Sequence, residues 1–367
     1  MQGYRNYHIA KWLLVVILLT SVLVLSVCAC GTTPPATTLP PETVTTTLPP
    51  ETVTITLPPE TVTITLPPET VTTTLPPETV TTTLPPETVT ITPVPVLPPL
   101  KPAPVTFPDA NLETTIREAI DKPEGLIYTS DLESITVLEA LERGISDLTG
   151  LEYFLNLQEL DLFDNNISNI SPLAGLSNLE ILALTYNDVS DISPLAGLNN
   201  LQVLYLGGNN ISDISPLIGL NSLEVLGLGG SNISDISLLV GLSNLKGLYL
   251  STNNISDISA LAGLSGLEEL SLGGNNISDI SALAGLSNLE ELYLYDNFIS
   301  DISALAGLTN LQWLYLDINS ISDISALVDN AGLLDGDTVD LGGNPLSAES
   351  INNYIPQLEA RGVNVRY

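Results

Sequence analysis

The chain has 367 residues, of which 42 are acidic and 9 are basic, so its formal net charge is −33. A charge of this sign repels nucleic acids and anionic lipid surfaces, which excludes a nucleic-acid partner. The single histidine, His8, and the two cysteines, Cys28 and Cys30, all precede Gly31. We therefore expect no disulfide, no histidine-based catalysis, no cofactor and no bound metal in the rest of the chain.

An uncharged apolar run occupies residues 12–27, shortly after two basic residues, Arg5 and Lys11. It is long for a signal-peptide core and slightly short for a membrane span, and both interpretations export the remainder of the chain. The run ends in Val-Cys-Ala-Cys-Gly, which resembles the lipobox of bacterial lipoproteins with Cys30 as the lipidated residue; an uncleaved anchor is the alternative. Residues 1–30 are thus predicted to be a signal peptide or membrane anchor, which places the protein at the cell surface, on the extracellular face of the membrane.

A nine-residue phrase, LPPETVTTT or LPPETVTIT, is repeated six times between Leu39 and Thr92. Each proline fixes its φ angle and lacks an amide donor, so the phrase should favour polyproline II over a helix or the interior of a sheet. Residues 31–106 are predicted to be a disordered, Pro/Thr-rich stalk that holds the distal part away from the membrane. Threonine beside proline is also typical of O-glycosylated stalks, and the sequence leaves that modification open.

A 22-residue period begins at Leu157 and continues through eight units to residue 332. One unit reads LQVLYLGGNNISDISPLIGLNS, which predicts a short strand with Leu204 and Leu206 inward and Tyr205 outward. The Ser-Pro step after the strand predicts a 3-10 or helical turn on the outer side. A period in the twenties with the pattern L-x-x-L-x-L-x-x-N is the signature of leucine-rich repeats. The predicted fold class is α/β, a leucine-rich-repeat solenoid with parallel β-strands on the concave face and short turns outside.

Two polar columns recur with the same period. Asparagines such as Asn209 should turn inward and satisfy backbone groups of the buried turn. Aspartates such as Asp213 form the second column, and two interpretations compete for it. A calcium site needs about six to eight oxygens in a closed arrangement, which a single row does not specify, so we predict that the aspartates cap the outer turns.

The pattern I-S-D-I-S-P-L-A-G-L-x-N-L in these units resembles the internalin family of bacterial leucine-rich-repeat surface proteins. The resemblance implies a curved, right-handed solenoid whose concave strand face binds a partner protein, with a cap at each end. Attached internalins carry a C-terminal wall-sorting signal, and this sequence shows none, so attachment is expected through the N-terminal segment. Invasion-type activity is therefore not carried over.

Residues 107–156 are predicted to form a helical N-terminal cap and an entry coil, and residues 333–367 a C-terminal cap. In the first cap the helix should cover the first coil with residues at helical spacing: Leu112, Ile116, Ala119 and Ile120. In the second cap a helix should be followed by a last strand over residues 363–367. The apolar positions of that helix are Ile351, Tyr354, Ile355 and Leu358.

Aromatic residues dominate the outward strand positions, mainly in the C-terminal half of the repeats. Exposed tyrosine and tryptophan on a rigid sheet are typical of binding hot spots, although aromatic residues favour strands without any ligand as well. The predicted ligand-binding residues are Tyr205, Tyr249, Tyr293, Tyr295, Trp313, Tyr315, Glu291 and Asp317.

The favoured function is a non-enzymatic cell-surface protein that presents its concave face on an extended stalk for recognition of, or adhesion to, a protein or glycan. The alternative is a structural, self-assembling surface component without a specific ligand. Catalysis would have to use carboxylates such as Glu269 and Glu291, as in glycoside hydrolysis, but no pocket is evident around them. We therefore predict that the protein is not an enzyme.

Overall fold

The computed structural model describes residues 71–75, 78–82 and 104–367. The chain divides into two compact units, Met1–Val96 and Leu97–Tyr367. The predicted apolar run, Cys30 and most of the stalk lie outside the described residues. Within the described part, no helix has the length and apolar character needed to cross a membrane.

In the first unit, two strands form an antiparallel hairpin. They are β1 (Val71–Leu75) and β2 (Glu78–Thr82), and Leu75 pairs with Glu78. These residues therefore depart from the polyproline II conformation predicted for the stalk. Threonine and valine, which make up most of both strands, favour strand conformation.

The second unit begins with the cap. Strand β3 (Pro104–Val105) pairs antiparallel with β4 (Ile127–Tyr128), so cap structure starts before residue 107. Helix α1 (Ala110–Ala119) lies between them, and a short helix, α2 (Thr129–Leu132), comes after β4.

Helix α1 begins at Ala110 because Asp109 caps it. The Asp109 carboxylate accepts bonds from the amides of Asn111 and Leu112 at 2.9 and 3.1 Å. Leu112 and Ile116 are buried as predicted, whereas the prediction for Ala119 was wrong: Ala119 is exposed, and Thr115 takes the buried position. Thr115 fits there because its hydroxyl donates to the Asn111 carbonyl at 2.9 Å, one turn back along the helix.

Eleven parallel strands, β5 to β15, form one sheet in which neighbours in sequence are neighbours in space. The register repeats from strand to strand: Leu204 pairs with Leu182 on one side and with Leu226 on the other. The strands are Val137–Glu139, Glu159–Asp161, Ile181–Ala183, Val203–Tyr205, Val225–Gly227, Gly247–Tyr249, Glu269–Ser271, Glu291–Tyr293, Trp313–Tyr315, Thr338–Asp340 and Asn364–Arg366.

Short helices on the outer side connect the strands. Most begin at a serine, as the Ser-Pro step of the repeat predicted. The 3-10 helices are Leu151–Tyr153, Ser171–Leu173, Ser193–Leu195, Ser215–Leu217, Ser237–Gly241, Ser259–Gly263, Ser281–Leu283 and Ser303–Gly307, and in the last unit an α-helix, α3 (Ser325–Asp329), takes their place.

One continuous apolar core runs through the stack, from Val105 in the cap to Val363 near the last strand. Each coil contributes the leucines and isoleucines that the 22-residue period predicted to point inward, and all are buried. Burial of each such side chain stabilises the fold by about 1.5–3 kcal/mol, and no coil can bury its own residues without a neighbour. The solenoid fold is thus confirmed.

A ladder of buried asparagines links the coils behind the strands. The amide of Asn209 donates to the carbonyls of Leu184 and Leu206, both at 2.9 Å, and its oxygen accepts from the Val189 amide at 2.9 Å. The predicted structural role is confirmed along the column, which comprises Asn165, Asn187, Asn209, Asn253, Asn275, Asn297 and Asn319. Ser231 interrupts it, and its hydroxyl is the one buried side-chain polar atom of the described region without a hydrogen-bond partner.

The aspartate column caps the outer turns, as predicted. Asp213 accepts a hydrogen bond from the amide of Ser215, the first residue of a 3-10 helix, at 2.8 Å, and this bond lowers the pKa of its carboxyl. The same bond recurs at Asp191, Asp235, Asp257, Asp279, Asp301 and Asp323.

The C-terminal cap contains a π-helical turn, Ser350–Tyr354, which leads into helix α4 (Ile355–Ala360). The extra residue per turn shifts the helix face, so the prediction that Ile351 is buried was wrong: Ser350 is buried, and Ile351 is 38% exposed. After α4, Arg361 donates to the carbonyls of Asn330 and Val328 at 3.0 and 2.6 Å, which ties the cap to the last repeat.

Candidate binding face

The outward side of the eleven-stranded sheet, here called the strand face, carries three columns of side chains. Residues at the first and third positions of each strand point outward, on either side of an inward leucine, and a further column stands two residues after the strand. Tyr205, Tyr249, Tyr293 and Tyr315 occupy the third position, and Glu291 and Trp313 the first. Tyr295 and Asp317 occupy the column after the strand. All eight predicted residues thus lie along one face.

The tightest cluster on this face is formed by the last two repeats. Tyr293 pairs in register with Tyr315, and their rings stack with centroids 4.9 Å apart and planes 6° apart. Glu291 pairs with Trp313 and accepts a bond from the Tyr293 hydroxyl at 2.7 Å. Trp313 remains 40% exposed, which makes it the most accessible aromatic residue of the cluster.

A second tyrosine–glutamate unit stands in the middle of the face. The Tyr249 hydroxyl donates to the carboxylate of Glu269, on the next strand. Burial raises the pKa of the Tyr249 phenol, and the negative charge of Glu269 raises it further. Tyr205 and Glu291 act on the same phenol, so the polar groups of these coils form one electrostatic network. Glu269, which the set of predicted binding residues omits, is therefore part of the face.

Glycines in neighbouring coils make room for several of the rings. A Cβ atom added to Gly227 would stand 2.7 Å from Cδ1 of Tyr205, and one added to Gly273 would stand 2.3 Å from Cζ of Tyr295. The rings of Tyr205 and Tyr295 therefore rest against bare backbone and are held in place by it. The predicted binding residues extend over several coils, and Tyr205 lies four strands away from Tyr293.

The strand face is acidic along its length. At its N-terminal end, burial raises the pKa of Glu159, and the charges of Glu180 and Glu139 raise it further. At its C-terminal end, burial and the charge of Asp340 raise the pKa of Asp317.

Two basic residues on or beside the strands are already paired with carboxylates. Lys246 contacts Glu224 at 2.6 Å, and Arg366 contacts Asp340 at 3.3 Å. The face therefore keeps an excess of negative charge that these two cations do not neutralise.

The two carboxylates considered for catalysis are neighbours, since Glu269 pairs in register with Glu291. Each of the two carboxylates accepts a hydrogen bond from a tyrosine hydroxyl, so both serve as acceptors on the strand face. The cavity lined by Ser234, Asp235 and Asp257 lies at the outer turns, on a different side of the coil from these glutamates.

Three further groups on this side of the molecule were not found from the sequence. Phe163 and Tyr186 form an edge-to-face pair with centroids 5.5 Å apart near the N-terminal end. Phe298 and Ile318, in the turns after the strands of the last two full repeats, are 62% and 57% exposed. A comparison of each unit with its neighbours at the same repeat position would have drawn attention to the last two.

The repeats match the family model for leucine-rich repeats, described as two copies of the repeat, in seven overlapping segments that span residues 155–329. A search of curated protein sequences gave no significant match.

Several solved structures are similar. An internalin, InlF, from Listeria monocytogenes is 34% identical, with a TM-score of 0.52 and coverage of 73% of this chain and 94% of that chain. Internalin C2 from the same species is 35% identical, with a TM-score of 0.49 and coverage of 64% and 95%. The functional domain of InlJ, also from Listeria monocytogenes, is 20% identical with a TM-score of 0.55 and coverage of 71% and 60%, and shares the fold.

Proposed function

Because this chain belongs to the internalin family of leucine-rich-repeat proteins, we propose that it is a non-enzymatic binding protein whose strand face, on the concave side of the solenoid, recognises a protein partner. Such solenoids use an extended, preformed surface for recognition. The inward positions are filled by the core, so a partner on this face meets the outward strand columns.

One observation carries the proposal: the stacked pair Tyr293–Tyr315 beside the exposed Trp313. Aromatic rings on a sheet provide a large contact area, and because these rings are already held by stacking and by the Tyr293–Glu291 bond, binding orders few new rotamers. The predicted site residues Tyr205, Tyr249, Tyr295 and Asp317 extend this surface along the same columns. A glycan that stacks on the rings is the other class of ligand.

Attachment completes the proposal. The apolar run at residues 12–27 and the lipobox-like Cys30 support a membrane-tethered protein at the extracellular face, and the repeated Pro/Thr segment supports a spacer between membrane and solenoid. Metabolic labelling of the expressed protein with a radiolabelled fatty acid tests this part. Label that disappears in Cys30→Ala supports lipidation, whereas a membrane-bound but unlabelled wild type supports the uncleaved anchor.

Cross-linking and pull-down from cell-surface extracts, together with a glycan array, test the binding function. The full chain is compared with a variant carrying Tyr293→Ala, Trp313→Ala and Tyr315→Ala, and with Tyr153→Ala, which removes an aromatic residue that is 46% exposed on an outer turn. A ligand captured by the wild type and by Tyr153→Ala, and lost in the triple variant with its circular dichroism intact, supports the proposal. Capture of no ligand, together with self-association of all forms, would favour the structural alternative.

A further inference from the structure

The turn after each strand contains one position in the left-handed backbone region. Glycine occupies it in coils such as those of Gly208, Gly230 and Gly274, where the φ angles are 67°, 68° and 67°. Other coils hold Glu142, Asp164, Tyr186, Thr252, Asp296 or Ile318 there, and Ile318, with φ 54°, is the one aliphatic side chain among these. A β-branched residue in this region is strained, and the side chain of Ile318 recovers little of that cost from the core because it is 57% exposed.

Phe298 is the second exception to the repeat. The equivalent position is asparagine in Asn210, Asn232, Asn254 and Asn276, and these residues are exposed. Phe298 is 62% exposed and therefore places an aromatic ring in water where its neighbours place an amide. A single exposed apolar residue is ordinary, so the meaning of Phe298 depends on the exposed apolar residues beside it.

The two exceptions lie next to each other. The backbone amide of Asn297 donates to the carbonyl of Ile318 at 3.3 Å, so Phe298 comes directly after a residue that is bonded to Ile318. In the same two coils, the backbone amide of Asp296 donates to the carbonyl of Asp317 at 2.9 Å, which joins the turns directly to the strand columns. Trp313, Tyr293, Tyr315, Phe298 and Ile318 thus all lie in the same two adjacent coils, and these five residues are here called the C-terminal patch.

Acidic residues surround this patch. Glu290, beside Trp313, and Asp296, before the first turn, are exposed, and Asp317, before the second turn, is half-buried. Glu291 also adds negative charge, but it is buried and accepts the bond from the Tyr293 hydroxyl. On the far side, Arg366 is paired with Asp340. A partner placed on the C-terminal patch therefore meets aromatic rings enclosed by carboxylates, an environment that attracts cations through both charge and the faces of the rings.

We infer that the C-terminal patch binds a protein segment in which apolar side chains alternate with lysine or arginine. The inference rests on the proposed function and adds to it the chemistry of the partner and the two turn residues. The apolar side chains cover Trp313, Phe298 and Ile318, and the basic side chains reach the exposed carboxylates of Glu290 and Asp296. Phe298 and Ile318, which depart from the repeat and do not contribute to the core, thus both serve in binding this segment.

The variant that tests this inference restores the repeat. Phe298→Asn with Ile318→Gly gives the two turns the residues found in neighbouring coils, so the fold is retained and the backbone strain at residue 318 is relieved. Thr252→Gly is the matched control, because Thr252 also has a left-handed backbone, with φ 59°, but lies in a coil outside the patch.

The probes are three short synthetic peptides that alternate Leu and Tyr with Arg, with Gln or with Glu, and binding to the full chain is measured by biolayer interferometry. We expect the Arg peptide to bind at least about tenfold more tightly than the Gln peptide, and the Glu peptide not to bind. The affinity of the Arg peptide should fall as the salt concentration is raised from about 50 to about 300 mM. The repeat-restoring variant should lose at least about tenfold in affinity with no loss of thermal stability, and Thr252→Gly should bind like the wild type.

Equal binding of the Arg and Glu peptides, binding of none of the three, or unchanged binding by the repeat-restoring variant would overturn the inference. None of these results contradicts the binding function itself, which is judged by capture of a ligand that depends on Tyr293, Trp313 and Tyr315. Capture of a ligand without selectivity for the Arg peptide would leave a binding protein whose partner has another chemistry.

Discussion

The ring of Tyr295 occupies the space that a side chain at Gly273 would need: a Cβ added to Gly273 would stand 2.3 Å from Cζ and 2.4 Å from Cε1 of the ring. Gly273→Ala should therefore displace the ring from the strand face. Because the ring is the flexible partner, we expect little change in the free energy of unfolding and a reduced affinity for any ligand of the face. Denaturant unfolding and ligand titration on the same preparation measure both quantities. Gly285→Ala, at a position with open space around it, is the control and should leave affinity unchanged.

Ser231 leaves the asparagine ladder incomplete, and Ser231→Asn should complete it. In the neighbouring coils the asparagine oxygen accepts the amide twenty residues earlier, as Asn209 does from Val189. Restoring such bonds should raise the free energy of unfolding by about 1 kcal/mol. The reverse change, Asn209→Ser, should lower it by about 1–3 kcal/mol, because it leaves buried backbone groups without their partner. Urea titration monitored by circular dichroism measures both, and a Ser231→Asn chain less stable than the wild type would contradict this role for the ladder.

Asp109 joins helix α1 to the entry coil, and its contribution should depend on pH. Burial raises the pKa of its carboxyl, but hydrogen bonds from Ser146, Leu112 and Asp147 outweigh that effect and lower it overall. A lowered pKa in the folded state means that the stabilisation is complete above the unfolded value near pH 3.8 and is lost as the pH falls through the folded value.

Asp109→Asn keeps the size of the side chain but removes the charge and one acceptor oxygen. At neutral pH it should destabilise the chain by about 1 kcal/mol, a typical value for a helix cap. The difference from the wild type should shrink as the pH falls below 3.8 and through the lowered folded value, where the Asp109 carboxyl becomes protonated. Thermal melts of both chains at neutral and at acidic pH measure this difference in stability. A difference that is the same at both pH values would show that charge plays no part at this cap.

Tyr249 should make the folded state sensitive to alkali. Burial and Glu269 raise the pKa of its phenol, so its contribution is present below the unfolded value of 10.0 and is lost as the pH rises above it. The wild type should therefore lose stability more steeply than Tyr249→Phe above about pH 10. Tyr186→Phe, which changes a more exposed ring, serves as the control in the same denaturation series and should behave like the wild type.

Much of the solenoid could be predicted from the sequence because its periodicity reports a physical requirement. Leu204 and Leu206 recur because each coil must bury the same groups, and Asn209 recurs because each turn leaves the same backbone groups to satisfy. These are properties of a single unit repeated along the chain. The strand face could be located for the same reason, since alternation about the inward leucines determines which side chains point out.

The remaining features depend on relations between units or on local geometry that a pattern does not contain. The position of the Tyr295 ring depends on a glycine in the preceding coil. In the helix of the first cap, Thr115 is buried instead of Ala119 because its hydroxyl can bond to the helix backbone. A π-helical turn displaced Ile351 from the core. Alternation along the strands predicts binding residues only on the strands, whereas Phe298 and Ile318 stand in the turns.

The register of the sheet is the same at every step, with Leu182, Leu204 and Leu226 in line. A whole unit of 22 residues can therefore be removed or inserted in frame while both caps keep the neighbours they already have. Each unit inserted before Leu289 moves Tyr293 and Tyr315 about 4.8 Å farther from helix α1 and leaves their own surroundings unchanged. The number of units therefore sets the distance between the contact surface and helix α1. The residues of the last two units set the chemistry of that surface independently.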